Sequence, residues 1–160
     1  IIILIFNLNL AHSNDKVSFI NLDLLIQQTY IGKSILKEIE QLNKMNIENL
    51  KNKESELKSF ENKIKKKKNI ISKDEFENEV IRLRQNIKKF KNYKNKLVSE
   101  IENKKNNDIK EFFTKVNPII QNYMDNNSID ILLERKNVFM SKNSSDITEK
   151  LIIEINKKFK

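Results

Sequence analysis

The chain has 160 residues, with 31 Lys or Arg against 22 Asp or Glu and a formal net charge of +9; it holds one Gly, one Pro, no Cys, no Trp and one His. Without Cys and with only His12, a thiolate or multi-histidine metal site, a Cys nucleophile, a disulfide framework and a Ser-His-Asp triad find no residues to build from, and a single Gly leaves no glycine-rich phosphate loop. Two turn-making residues in the whole chain point to very few connections and to long helices, and 33% charged against 38% hydrophobic residues implies an elongated chain, much of which never enters a core.

Ile1 to Phe6 and on to Leu10 form a short apolar run ending in Ala11-His12-Ser13. This reads as the h-region and cleavage site of an export signal over residues 1–13, too short for a bilayer span, which needs about 20 apolar residues. No initiator Met or basic region precedes it, so the start reads as truncated. His12, inside it, is no site.

Val17-Ser18-Phe19-Ile20-Asn21 reads as a short strand, with Asn21 as a helix cap. Leu22, Leu25, Ile26 and Thr29 or Tyr30 then recur at helical spacing, and Gly32 with Ser34 is expected to interrupt the helix. From Leu36 a heptad runs through Asn43, Leu50, Leu57, Ile64 and Ile71. Its partner row of Ile39, Asn46, Lys53, Phe60 and Lys67 is half polar, which suits a loosely packed two-helix arm, with Asn43 and Asn46 as register setters.

Ser72-Lys73-Asp74-Glu75 before Phe76 fits a capping box, so a second helix starts there. Its seam is Phe76, Val80, Leu83, Ile87, Phe90, Leu97 and Ile101, with Lys94 intruding and Tyr93 off the seam. An offset near Lys104 to Asp108 reads as a stutter before Ile109, Phe112, Val116, Ile119 and Tyr123, and Pro118 should kink the stripe or open its final turns. The break and fresh cap favour an antiparallel hairpin over one continuous coiled coil.

Asp125 to Ser128 is turn-forming, Ile129 to Glu134 reads as a strand, Arg135-Lys136-Asn137 as its turn, and Val138-Phe139-Met140 as a second strand. In the last helix Asp146 and Glu149 are expected as N-cap and N3, with Ile147, Leu151, Ile152 and Ile155 on the buried face.

The fold class expected is therefore mainly α with a small β head (α+β). Residues 14–34 and 124–160 make a discontinuous head, and 35–123 a hairpin arm with its tip near 66–75. Such a head falls below the roughly 70 to 80 residues at which a core stands comfortably alone, so oligomerisation through Val17, Phe19, Ile131, Leu133, Val138 and Phe139 is expected, with the edges at Val17 to Ile20 and Val138 to Met140 as contacts.

At this point the chain resembles the Skp, or OmpH, family of periplasmic chaperones. The likeness is carried by Lys16 to Asn21 with Leu25-Ile26-Gln27-Gln28-Thr29, by Asn117-Pro118-Ile119-Ile120, by Ile129 to Leu133, and by Ser145 to Leu151, in this order around a lysine-rich hairpin. The resemblance implies an exported, soluble periplasmic homotrimer whose arms enclose unfolded outer-membrane β-barrel proteins without ATP or any cofactor. Asn, Ile and Lys stand here where better-known members carry Ala and Gln.

Residues 36–105 hold 20 Lys or Arg and 12 Asp or Glu, a balance of +8, whereas the other positions hold 11 and 10, a balance of +1. A basic arm raises the local concentration of acidic clients and holds them in a salt-sensitive way. Client-facing candidates are Lys88, Lys91 and Tyr93, while Phe60 and Phe90 read as packing between the helices. The run Lys65, Lys66, Lys67, Lys68 has two readings, contact with anionic lipid or lipopolysaccharide and a solvated, self-repelling tip. Catalysis and metal binding are not expected. A nucleic-acid-binding hairpin and an envelope spacer remain as alternatives; Glu38, Glu40, Glu48, Glu54, Glu56 and Glu61 dilute any continuous basic stripe and argue against nucleic acid.

Overall fold

The computed structural model describes residues 15–159; the expected signal segment, 1–13, lies outside them. In chain order the elements are β1 (Val17–Ile20), α1 (Leu22–Gln28), α2 (Tyr30–Lys67), α3 (Lys73–Asn126), β2 (Ile131–Glu134), two single 3-10 turns (Arg135–Asn137 and Asn143–Ser145) and α4 (Thr148–Lys158). They form two compact units, one of residues 15–30 with 115–159 and the other of Ile31–Thr114.

The first unit holds most of the buried apolar side chains: Phe19, Ile20, Leu25, Val116, Ile120, Ile129, Ile147, Leu151, Ile152 and Ile155. β1 and β2 are parallel, with Val17 opposite Ile131 and Phe19 opposite Leu133. On its other side β1 bridges to the chain entering α4, where Phe19 pairs with Asp146 and the Ile147 amide donates to the Phe19 carbonyl at 3.1 Å. Val138–Met140 is no strand, contrary to expectation. Both sides of β1 are occupied at Phe19, and a 3-10 turn closed by the Val138 amide on the Arg135 carbonyl (3.0 Å) carries the chain away from β2. A β-prone triplet without a ladder partner stays irregular. For the same reason β1 is not the open edge expected; the outer side of β2 is.

Local signals set most of the remaining boundaries. The Asn21 side chain caps α1 by accepting from the Leu24 amide at 3.1 Å. The helix breaks at Thr29, not at Gly32 and Ser34. The Thr29 hydroxyl donates to the Leu25 carbonyl at 2.8 Å, and the Tyr30 amide opening α2 donates to Asn156 Oδ1 at 2.7 Å. Gly32 therefore sits buried inside α2, with no turn to make.

α3 runs on past Pro118 and ends in a Schellman motif. The Ile129 amide donates to the Met124 carbonyl (3.0 Å), the Ser128 amide to the Asp125 carbonyl (3.3 Å), and Ser128 takes the left-handed φ of 52° usually reserved for Gly. At the other end of the unit Asp146 sits one residue before the helical N-cap, Ile147, so the expected Asp146–Glu149 cap is displaced. Asp146 Oδ1 instead accepts from the amide (3.0 Å) and the hydroxyl (2.6 Å) of Thr148. The expected buried face of α4 is as the structure has it.

The second unit is a helical hairpin. Cross-helix contacts pair Lys67 with Glu79, Phe60 with Arg82, Lys53 with Tyr93 and Glu38 with Lys104, so one helix number rises as the other falls and the helices are antiparallel. The tip turn is closed by the Ile70 and Ile71 amides on the Lys67 carbonyl at 2.9 and 3.2 Å. The capping box is complete, with the Ser72 amide donating to Glu75 Oε2 at 3.0 Å and the Glu75 amide to Ser72 Oγ at 3.3 Å.

Candidate functional site

The hairpin is thinly packed. Its buried large apolar residues are Ile64, Leu97 and Phe112, and Asn46 is buried alongside them at 8% exposure. Inward positions on α2 run Ile35, Ile39, Leu42, Asn46, Leu50, Leu57, Phe60 and Ile64. The heptad expected from Leu36 therefore holds only from Leu50 onward: Leu36 and Asn43 are exposed and the residues before them, Ile35 and Leu42, face in. A four-residue step from Asn46 to Leu50 joins the two registers, and it buries Leu42 in place of Asn43.

A similar shift on α3 relocates one candidate residue. Residues three and four beyond Leu83 flank it on either side of the helix, so hydrophobicity alone favours Ile87. The structure turns Asn86 inward and leaves Ile87 51% exposed, and Tyr93 then falls on the seam, half-buried, with the Lys53 ammonium 5.1 Å from its ring centroid. Tyr93 is thus not the off-seam, exposed residue expected. Lys88 and Lys91 are exposed. Phe60 and Phe90 are half-buried between the helices, with the Arg82 guanidinium 5.7 Å from the Phe60 ring.

The stutter expected near Lys104 to Asp108 is filled by charge. Lys104 Nζ lies 2.8 Å from Asp108 and 3.5 Å from Glu38 across the hairpin. The hydrogen bond to Asp108 holds the Lys104 ammonium above its usual range, against the opposing effect of desolvation. Sequence periodicity marks the position, but the cross-helix partner Glu38 is not visible in it.

At the tip, Lys65 pairs with Glu61 at 2.7 Å and Lys67 with Glu79 at 3.7 Å, while Lys66 and Lys68 are exposed. The Lys65 hydrogen bond, reinforced by its charge, holds the Glu61 carboxyl below its ordinary value of 4.5.

In the first unit the strand register places Val17, Phe19, Ile131 and Leu133 on one face of the sheet. Val17, Ile131 and Leu133 are 44%, 45% and 40% exposed, an apolar face that this chain alone does not cover. Phe19 is buried under the Arg135 guanidinium, 5.5 Å from its ring. Val138 is half-buried, and Phe139 is fully exposed in the irregular segment beside that face. Arg135 also donates to Asp146 at 2.9 Å. Burial pushes the Asp146 carboxyl up, but the bonds from Thr148 and the charge of Arg135 outweigh it and hold the group below its ordinary 3.8. Among the described residues no helix is long and apolar enough to cross a membrane.

A comparison with the curated proteins finds no match. A crystal structure from Caulobacter crescentus CB15, described as that of a candidate outer membrane chaperone (OmpH-like), superposes with a TM-score of 0.81 at 16% identity, covering 90% of this chain and 85% of that one. That likeness shows a shared fold. The sequence model described as "Outer membrane protein (OmpH-like)" matches residues 16–155, nearly all of the described chain, and the chain therefore belongs to the OmpH-like outer membrane protein family.

Proposed function

We propose that the protein is a periplasmic holdase chaperone, a binding protein with no catalytic step, that retains unfolded outer-membrane β-barrel proteins and keeps them from aggregating without ATP. The observation that carries this reading is the arm itself. Its hairpin packs thinly, with Asn46, Asn86 and Lys104 interrupting the apolar seam, and the residues 36–105 that form most of it hold +8 of the chain's +9 charge. A loosely packed basic arm can spread around a client and hold it by many weak, salt-sensitive contacts. Family membership and the fold shared with a candidate outer membrane chaperone point the same way.

In this reading the exposed face of Val17, Ile131 and Leu133 joins three copies through their heads, and the arms of the homotrimer surround the client. Lys88 and Lys91 face it, and Lys66 and Lys68 are the tip lysines best placed for anionic lipid. Carboxylates tie up part of the basic surface, as Glu38 does Lys104, Glu61 does Lys65 and Glu100 does Lys96, which weakens the case for a nucleic-acid partner.

The test is light scattering of the protein alone and with an unfolded outer-membrane β-barrel, at low and high salt. A trimer that keeps the barrel soluble, and does so less well in salt, is expected. A monomer or dimer that leaves the barrel to aggregate would overturn the proposal.

A further inference from the structure

The hairpin seam opens beside Tyr93. Opposite Tyr93, α2 supplies Lys53 where a dry seam would carry leucine, and two turns nearer the tip α3 supplies Asn86 between Leu83 and Phe90. Neither side chain fills the space, and a solvent-accessible groove of about 450 Å³ remains between the two helices. Its floor is Leu57, Phe60, Phe90 and Tyr93, all half-buried, and its rim carries the exposed Lys53, Lys89 and Glu56. The size lies in the range of roughly 300–1,000 Å³ typical of ligand sites, and the pairing of an apolar aromatic floor with a few charged groups at the mouth is what such sites share.

We infer that this groove is a docking site for an aromatic side chain of an unfolded client that has a carboxylate as its neighbour in sequence. The inference rests on the client-binding reading above and names the chemistry of one contact within it. The ring enters between Phe60, Phe90 and Tyr93, where edge-to-face packing favours an aromatic over an aliphatic side chain of similar bulk. Lys53 already stands over the Tyr93 ring, so its ammonium meets a second π face when a ring enters beside it. Two lysines against one glutamate leave the rim positive, with Lys88 and Lys91 exposed nearby on the same helix, and this complements an acidic flank and repels a basic one.

The probe is the peptide acetyl-Glu-Trp-Glu-amide, titrated into the full-length protein at low salt. The chain has no Trp, so the indole emission belongs to the probe alone. A saturable blue shift with a Kd on the order of 1 mM or tighter is expected. Acetyl-Lys-Trp-Lys-amide should bind at least about tenfold more weakly, and acetyl-Glu-Leu-Glu-amide should fail to compete. Asn86→Leu narrows the groove where the ring enters and should cost at least about tenfold in affinity while circular dichroism shows an intact, more heat-resistant arm. Lys53→Glu with Lys89→Glu, both on exposed side chains, should reverse the preference between the acidic and basic probes.

Equal binding of the two charged probes, or unchanged binding by Asn86→Leu, would overturn the assignment. The β-barrel aggregation assay run in parallel separates the two proposals. If the probe does not bind and wild type and Asn86→Leu protect the barrel equally, the groove assignment falls and the holdase reading stands. If the probe binds as described but the wild-type protein leaves the barrel to aggregate, the holdase reading falls and the groove remains a site for acidic aromatic segments.

Discussion

Asp146 joins three parts of the first unit, and its replacement measures how much that junction contributes. Its carboxylate accepts from the Thr148 amide at 3.0 Å and hydroxyl at 2.6 Å and from Arg135 at 2.9 Å. The Thr148 hydroxyl in turn accepts from the Asn21 amide at 2.9 Å, so one carboxylate orients the group that helps to start both α1 and α4. Asp146→Ala removes two hydrogen bonds to partly buried donors, roughly 1 kcal/mol each, and an ion pair that solvent screens to about 0.5 kcal/mol. The expected loss is about 2 to 3 kcal/mol. Asp146→Asn keeps an acceptor for Thr148 and loses the charge, and about 1 kcal/mol is expected.

The pH dependence has a definite sign. Because the folded carboxyl lies below its ordinary 3.8, its contribution is complete above that value and is lost as pH falls through the lower, folded one. The gap between wild type and Asp146→Asn should therefore be constant from pH 7 to 5 and shrink below about pH 4. Urea unfolding followed by far-ultraviolet circular dichroism, at one fixed protein concentration because assembly adds to apparent stability, reads all three proteins. Ala and Asn variants of equal stability, or a gap that persists undiminished to pH 3, would refute the reasoning.

Ser128→Gly relieves the left-handed residue that closes α3 and should stabilise the protein by about 1 kcal/mol, read by the same urea titration. Ser72→Ala removes the tip cap, and hydrogen exchange of the first turn of α3 should quicken by about 2- to 30-fold, corresponding to a lost N-cap of roughly 0.5–2 kcal/mol, with exchange elsewhere unchanged. The Ser72 bonds hold the Glu75 carboxyl below its ordinary 4.5, so in wild type the same turn should fray as pH falls through that lowered value. Asn46→Leu puts an apolar side chain at a buried seam position and should raise the melting temperature of the hairpin, by about 1 kcal/mol of added stability, while lowering retention of large clients if the arm must spread.

Much of the fold can be read from local chemistry, because its signals lie within a few residues of each other. Ser72 and Glu75 are three apart, Asn21 caps an amide three residues on, and Ile147, Leu151, Ile152 and Ile155 share a helix face by spacing alone. The antiparallel hairpin follows from the same logic, since one cap between two long apolar stripes leaves the chain little choice. Tertiary structure decided what depends on partners far along the chain. Thr29 rather than Gly32 ends the first helix, and there Asn156, 126 residues from Tyr30, supplies the acceptor that opens the next one. Val138–Met140 has the composition of a strand, yet Asp146 holds the second side of β1 and the 3-10 turn of Arg135–Asn137 leads the triplet away from the free side of β2. On the arm, whether Asn86 or Ile87 faces inward is a difference of one residue that helical periodicity tolerates either way, and only the opposing helix settles it. That choice put Tyr93 on the seam and left the groove beside it, which no reading of a single helix could have located.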